Sequence, residues 1–228
     1  MKVAISLSKK NKLVPKVDPR HRAWVEVNPA AIEANTKVIK NVLLDNCLLM
    51  AVVKADGYGH GAITVANSVL RGGAQSLGVA TLQEGIDLRQ SGITCPILVL
   101  GNLTNPEELG ACIDWTLMPT LSSAKESFLC NKLAKQKQAK VSVHLKVDTG
   151  MTRLGCELDE APDLIYKIDN LCSLELEGIY SHLALADGDI DEKSTQVTAM
   201  QKKKFENLIN QLAKRSRSLC KHLANSAG

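Results

Sequence analysis

Short apolar runs alternate with longer amphipathic stretches along most of this chain. The runs are Leu48–Lys54, Leu77–Ala80, Pro96–Leu100, Thr116–Met118, Val141–Val147, Leu176–His182 and Leu219–Ala224. Between them lie stretches with helical spacing, at about 61–72, 82–91, 105–112, 122–138, 158–170 and 193–217. Strand, helix and strand in repetition call for βαβ units and a parallel sheet. A run as uniformly apolar as Pro96-Ile97-Leu98-Val99-Leu100 suits a sheet covered on both faces. Ala23–Val27 reads as an extra strand ahead of the series. Asn28-Pro29 then predicts a helix running to about Leu44, because asparagine caps a helix start and proline fits its first turn. Asn105-Pro106 repeats that signal.

The regular series holds seven strands, and His222 to Gly228 stand at and just past the seventh. A closed (β/α)8 barrel needs one strand more. The fold class expected is therefore α/β, a (β/α)8 TIM-like barrel lacking its eighth strand, in a chain cut short. An open α/β sheet with ligands at its strand ends is the alternative. In 228 residues with 45% apolar content there is material for one sizeable core. Residues 1–22 are basic, lack a sustained apolar stretch and read as a flexible extension. A transit-peptide reading also stays open for them, since no acid occurs before Asp18.

Composition narrows the function. Aromatics are only 3%, thin for a surface that stacks single-stranded nucleic acid. Much of the net charge of +4 lies in the N-terminal tail and in a Lys/Arg-rich stretch near 202–221, which read as a tail and a solvated helix face. No nucleic-acid partner is expected. The longest apolar run, Cys47–Val53, is far too short to cross a bilayer, so no membrane partner is expected and the cytoplasm is the expected location. The seven cysteines include no Cys-x-x-Cys pair, which argues against a disulfide framework or a zinc site. Buried free thiols, with no metal, are the reading.

Four strings carry chemistry. Val53-Lys54-Ala55-Asp56-Gly57-Tyr58-Gly59-His60-Gly61 puts a lysine at the C-terminal end of a buried strand, ahead of a glycine-rich turn. Ligands sit at this edge in barrels and open sheets alike. Apolar walls favour the neutral form of an amine, and a neutral amine is what imine formation with an aldehyde requires. For an isolated lysine, snorkelling to solvent is the plainer reading. His144-Leu145-Lys146-Val147-Asp148-Thr149-Gly150-Met151-Thr152-Arg153-Leu154-Gly155 again leaves a strand through a glycine turn. Strand alternation puts His144, Lys146 and Asp148 on one face, a costly cluster unless its members pair. Arg153 stands where it can reach across the mouth to a phenolate or carboxylate. An exposed edge strand with a surface ion pair is the bland alternative. Gly178-Ile179-Tyr180-Ser181-His182 ends an apolar strand in an imidazole. Such a ring can stack on a planar group, move a proton, or simply hydrogen-bond at the strand end. His222-Leu223-Ala224-Asn225-Ser226-Ala227-Gly228 opens a helix with small polar residues, a cradle suited to phosphate. Tyr58 can add a hydroxyl to it.

Taken in order, these strings closely resemble the alanine racemases of the pyridoxal-phosphate fold-type III class. Trp24-Val25-Glu26-Val27, with Ala31, Ile32 and Asn35, is similar to the family's opening, so the resemblance covers about residues 23–228. It implies pyridoxal 5'-phosphate as cofactor, carried as a Schiff base on Lys54, which is also one of two catalytic bases. It implies Tyr58 and Ser226 on the phosphate, Leu100 and His182 flanking the pyridine ring, Arg153 on the phenolic oxygen and against substrate, and Asn225 in the same shell. Lys146 matches a lysine that the family often carbamylates to position that arginine. Carbamylation would reverse the charge of Lys146 and relieve the cluster around it.

The implied reaction interconverts L-alanine and D-alanine, the latter for peptidoglycan. In the family the second base is a tyrosine from the partner subunit's C-terminal β-domain, and an arginine after the eighth strand meets the pyridine nitrogen. Both fall beyond Gly228. The domain reading is then an extension over 1–22, an incomplete cofactor-binding barrel over 23–228, and an absent C-terminal β-domain. Little or no racemase activity is expected of the 228 residues alone. The family is a homodimer, but its contacts use the absent domain. Alternatives are a single-domain pyridoxal-phosphate homeostasis protein without racemase activity, a relative acting on serine, lysine or ornithine, and a structural remnant.

Overall fold

The structure, a computed structural model, describes residues 25–186, 192–212 and 218–224. The expected extension over 1–22, residues Ala23 and Trp24, and the 225–228 turn with Asn225 and Ser226 lie outside the described residues. Val25–Val27 form no strand, contrary to expectation; they pair with no described strand, and Val25 is 77% exposed. Helix α1 (Pro29–Val42) begins as its sequence requires, with Asn28 Oδ1 accepting from the amides of Ala30 and Ala31 at 3.0 and 3.1 Å.

The strands are β1 (Met50–Val52), β2 (Ser76–Val79), β3 (Ile97–Asn102), β4 (Met118–Leu121), β5 (Val141–Lys146), β6 (Leu174–Tyr180) and β7 (Cys220–His222). The remaining helical elements are α2 (Lys54–Gly59), α3 (Ala62–Arg71), α4 (Leu82–Gln90), α5 (Pro106–Asp114), α6 (Ala124–Gln136), α7 (Ala161–Asp169) and α8 (Glu192–Gln211). All neighbouring strands run parallel, and their spatial order is the chain order β1 to β7. A doubly wound sheet reverses its order at a switch point. This one never does, so crossovers of one hand put the helices on one side of a curling sheet. That is barrel construction, with seven strands in a curled half-barrel. The open-sheet alternative is set aside. Strand β4 begins two residues later than the expected Thr116–Met118, because Thr116 is a turn residue at φ +52°.

Two apolar layers follow from strand alternation. Outward-facing Leu77, Val79, Ile97, Val99, Val143, Leu145 and Ile179 are fully buried against helix residues such as Ala66, Leu88, Leu109 and Ile168. Each such side chain contributes about 1.5–3 kcal/mol of burial. Inward-facing Leu98, Met118 and Tyr180 form a smaller cluster with Met50 and Leu100 inside the barrel. At the opposite end from the expected ligand edge, Arg89 ties α4 to the starts of β3 and β4. Its guanidinium donates to the carbonyls of Ile93, Cys95, Trp115 and Thr116 at 2.8, 2.7, 3.1 and 2.9 Å. All seven cysteines are free; Cys112, Cys130 and Cys156 are buried, and burial pushes their thiols up to about 12. Cys47, Cys172 and Cys220 are exposed, which corrects the expectation of buried thiols for those three. No described helix is long and apolar enough to cross a membrane.

The β5–β6 register slips once: Val143 faces Leu176, but His144 faces Gly178. Glu177 is the extra residue, and its Oε1 accepts from Ser142 Oγ at 2.6 Å. The bulge reverses the facing of everything after it, so Leu174 and Leu176 pack toward the helices while Tyr180 points into the barrel. Gly178 lies under the His144 ring, where a Cβ would stand 2.4 Å from two ring atoms. Gly178→Ala is therefore expected to cost about 1–3 kcal/mol by overpacking, read as a lowered urea midpoint; an unchanged midpoint would show that His144 moves freely.

Candidate active site

Lys54 leaves the C-terminal end of β1 and enters an unusual turn. Ala55, Asp56, Gly57 and Tyr58 all take left-handed helical angles, with φ of 50°, 53°, 61° and 56°. For side-chain-bearing residues this costs about 1–2 kcal/mol each. Local bonds offset that cost. The Gly57 amide donates to the Val53 carbonyl at 2.9 Å, and Asp56 takes the Gly61 amide on its carbonyl at 2.8 Å and the Ala62 amide on Oδ1 at 2.7 Å. Gly57 is glycine for a second reason, since a Cβ there would meet Val65 Cγ2 at 2.8 Å.

Glu84, which sequence reasoning missed, fixes this turn to its neighbour. Its Oε1 accepts from the Ala55 amide at 2.7 Å, and its Oε2 accepts from Ala80 and Thr81 at 2.7 and 3.1 Å. The residue after the site lysine is thus pinned to the exit of β2. The signal was present as a capping box, Thr81-Leu82-Gln83-Glu84, with the Glu84 amide donating back to Thr81 Oγ1.

His144 and Lys146 are buried on the inner face of β5, as alternation requires. Asp148 does not join them. Strand β5 ends at Lys146, and Asp148 Oδ1 instead accepts from the amides of Gly150, Met151 and Thr152 at 2.8, 3.0 and 3.0 Å. Desolvation pushes the Asp148 carboxyl up, but these amides outweigh it and hold the group below the usual carboxylate range. The carboxylate organises the loop that carries exposed Arg153.

Lys54, Lys146, Arg153 and His182 share one electrostatic neighbourhood. Burial first, then the charges of Arg153 and Lys54, lower the Lys146 pKa, with Asp148 opposing. Burial, then Arg153, Lys146 and Lys54, lower that of His182. Lys146 Nζ stands 5.4 Å over the Tyr180 ring and Lys54 Nζ 5.8 Å over that of Tyr58, which is 60% exposed. Leu100 lines the barrel's inner cluster, and its carbonyl accepts from Tyr180 Oη at 3.3 Å. The mouth gathers cations, and its acid is already spent on loop amides. This donor set fits an anionic ligand with phosphate, phenolate or carboxylate groups. Pyridoxal phosphate is a ligand of that kind.

Below the mouth lies a second group, whose pairing the sequence did not show. His144 Nδ1 and His222 Nε2 are 2.9 Å apart, and the His222 ring stacks on Tyr180 at 4.6 Å and 8°. Tyr180 Oη shares a hydrogen bond with Thr120 Oγ1 at 2.8 Å. Burial holds His144 down at about 4 and, with the neighbouring His144, His222 at about 3. Both rings are neutral at pH 7.

Comparison with known proteins agrees with this fold. The alanine racemase of Prochlorococcus marinus is 61% identical over 213 residues, covering 93% of this chain and 55% of that protein. That of Synechocystis sp. is 44% identical over 209 residues, covering 91% and 55%. Among solved structures, alanine racemase of Bacillus anthracis with bound L-Ala-P superposes with a TM-score of 0.80 at 33% identity, covering 90% of this chain and 52% of that one. Alanine racemase of Clostridium difficile gives 0.78 at 33% identity, covering 87% and 54%. The chain spans about half the length of the curated relatives it matches. With residues 27–228 matched, it belongs to the alanine racemase N-terminal domain family.

Proposed function

We propose that this chain supplies the pyridoxal-phosphate half of an alanine racemase site, with Lys54 as attachment point and as the base on one face of the substrate. The observation that carries the reading is Lys54 on its braced left-handed turn, at the strand-end rim, beside Lys146, Arg153 and His182. Tyr58 and Ser226 hold the phosphate, Leu100 and His182 flank the ring, Arg153 takes the phenolic oxygen and the substrate side, and Asn225 completes the shell. When bound, the cofactor supplies an electron sink that makes the α-hydrogen of an amino acid acidic. Lys54 Nζ accepts or returns that proton from one side, while Leu100 and His182 limit water at the ring. Lys146 is the carbamate site: a buried amine with a lowered pKa, among cations, gains by becoming an anion that pairs with Arg153. The substrate is alanine, the setting cytoplasmic, and the product D-alanine serves peptidoglycan.

Racemisation needs groups on both faces of the carbon; the family resemblance gives Lys54 only one. The test is α-hydrogen exchange in deuterium oxide, with cofactor and either enantiomer of alanine. One enantiomer is expected to take up deuterium about 10²-fold faster than with free cofactor, with little inversion. Exchange no faster than with free cofactor counts against the reading. Tight cofactor binding without any exchange would favour a homeostasis role instead.

A further inference from the structure

Helix α8 is largely polar, yet its Gln201 is fully buried, at 0% exposure. Its amide makes three hydrogen bonds, none within its own helix. Nε2 donates to the His182 carbonyl at 3.0 Å and to Thr149 Oγ1 at 3.1 Å, and Oε1 accepts from the Ala184 amide at 2.9 Å. Thr149 Oγ1 in turn shares a hydrogen bond with Ser181 Oγ at 2.8 Å, with both residues buried. The Gln201 stem also lies against Gly150, where a Cβ would stand 3.6 Å from Cγ. One side chain therefore joins the loop after β5, which carries Arg153, to the segment after β6, which carries His182. Its neighbours on the same helix face extend the contact: Thr198 Oγ1 donates to the Leu185 carbonyl, and the Lys204 charge acts on Asp148. Phe205 and Leu208 anchor that face in the core.

We propose that Gln201 is a positioning residue that sets Arg153 and His182 relative to each other, so that the two close on one planar anionic ligand. The inference rests on the pyridoxal-phosphate reading of the rim. Its basis is geometric: a donor and an acceptor of one planar amide are spent on two different site loops. An amide buried this way tolerates no loose fit, because each lost bond leaves a polar group stranded. The two loops consequently move as one body, and the site is assembled by a residue that never touches its ligand.

Two variants separate positioning from bulk stability. Gln201→Met keeps the volume and loses all three bonds. Gln201→Glu keeps the acceptor for Ala184 and replaces the donor with an oxygen facing Thr149 and the His182 carbonyl. Hydrogen exchange of segments 148–156 and 181–186 is measured without cofactor, beside cofactor retention and the pH midpoint of its bound absorbance. Lys202→Ala, on the solvent side of the same helix, is the control. Both variants are expected to speed exchange in the two segments together, leave β2 to β4 protected, weaken cofactor retention about tenfold, and shift the absorbance midpoint. Exchange that rises in one segment alone, rises evenly across the sheet, or stays unchanged overturns the proposal. A wild-type chain that retains no cofactor overturns the functional reading instead, and the exchange comparison still decides the coupling of the loops.

Discussion

Lys54→Ala is expected to yield no borohydride-stable adduct with pyridoxal phosphate, where the wild-type chain yields one that maps to Lys54. Lys54→Arg is expected to fail equally, since a guanidinium keeps the charge but offers no free amine. The rival amine is Lys146, and the structure separates the two. Lys54 is half-buried at the mouth, whereas Lys146 is 5% exposed inside the barrel, under a cluster of like charge. A Lys146→Met chain should therefore keep its adduct at Lys54. Because Lys54 makes no bond that holds the sheet together, its loss should leave the urea midpoint nearly unmoved, so a missing adduct would not be a folding artefact. An undiminished adduct in Lys54→Ala, mapped to another lysine, would remove the attachment site from the rim altogether.

Mild acid should weaken the fold through the buried imidazoles. An unfolded histidine titrates near 6.5, while folded His144 titrates at about 4 because burial disfavours its charged form. Below about pH 6.5 the unfolded chain therefore takes up a proton that the folded chain refuses. Stability is full above that value and falls as pH drops toward 4. At pH 5 the loss from His144 comes to about 2 kcal/mol, at 1.36 kcal/mol per pH unit. His222, held lower still at about 3, adds a loss of the same sign. Urea midpoints at pH 7 and pH 5 measure this directly, and His144→Gln should flatten the difference. Equal midpoints for the wild-type chain at the two values would show that the pair is hydrated or already charged.

Much of this architecture could be read from the residues because its signals are local. Seven apolar runs became seven parallel strands, and Asn28, Asn105 and Thr81 cap helices through their own side chains. Where the reading slipped, a longer-range term decided. Val25–Val27 has the composition of a strand but joins no strand among the described residues. Thr116 is β-branched and still turns at positive φ, because the chain must leave α5 there. Asp148 fits the alternation of β5 by count, but the strand stops and the carboxylate finds amides nearer than any cation. The rim lysine and histidine were visible because each follows a strand, and the arginine because it follows a glycine turn. Glu84 and Gln201 were not, since their partners lie on other segments; only the capping box of the first and the shared face of Gln201, Phe205 and Leu208 hinted at them.

The single bulge in β6 carries a consequence for how such a site can change. Below Glu177 the even-numbered residues face the helices, and above it they face the barrel interior. The aromatic and imidazole rings of the interior are thus addressed by residue count, odd or even, and not by continuous adjustment. Pairing the strand without the bulge, every residue kept, would trade Tyr180 for Ile179 at the inner wall. Substitution can tune this pocket, but only a change of register can re-aim it, and then all at once.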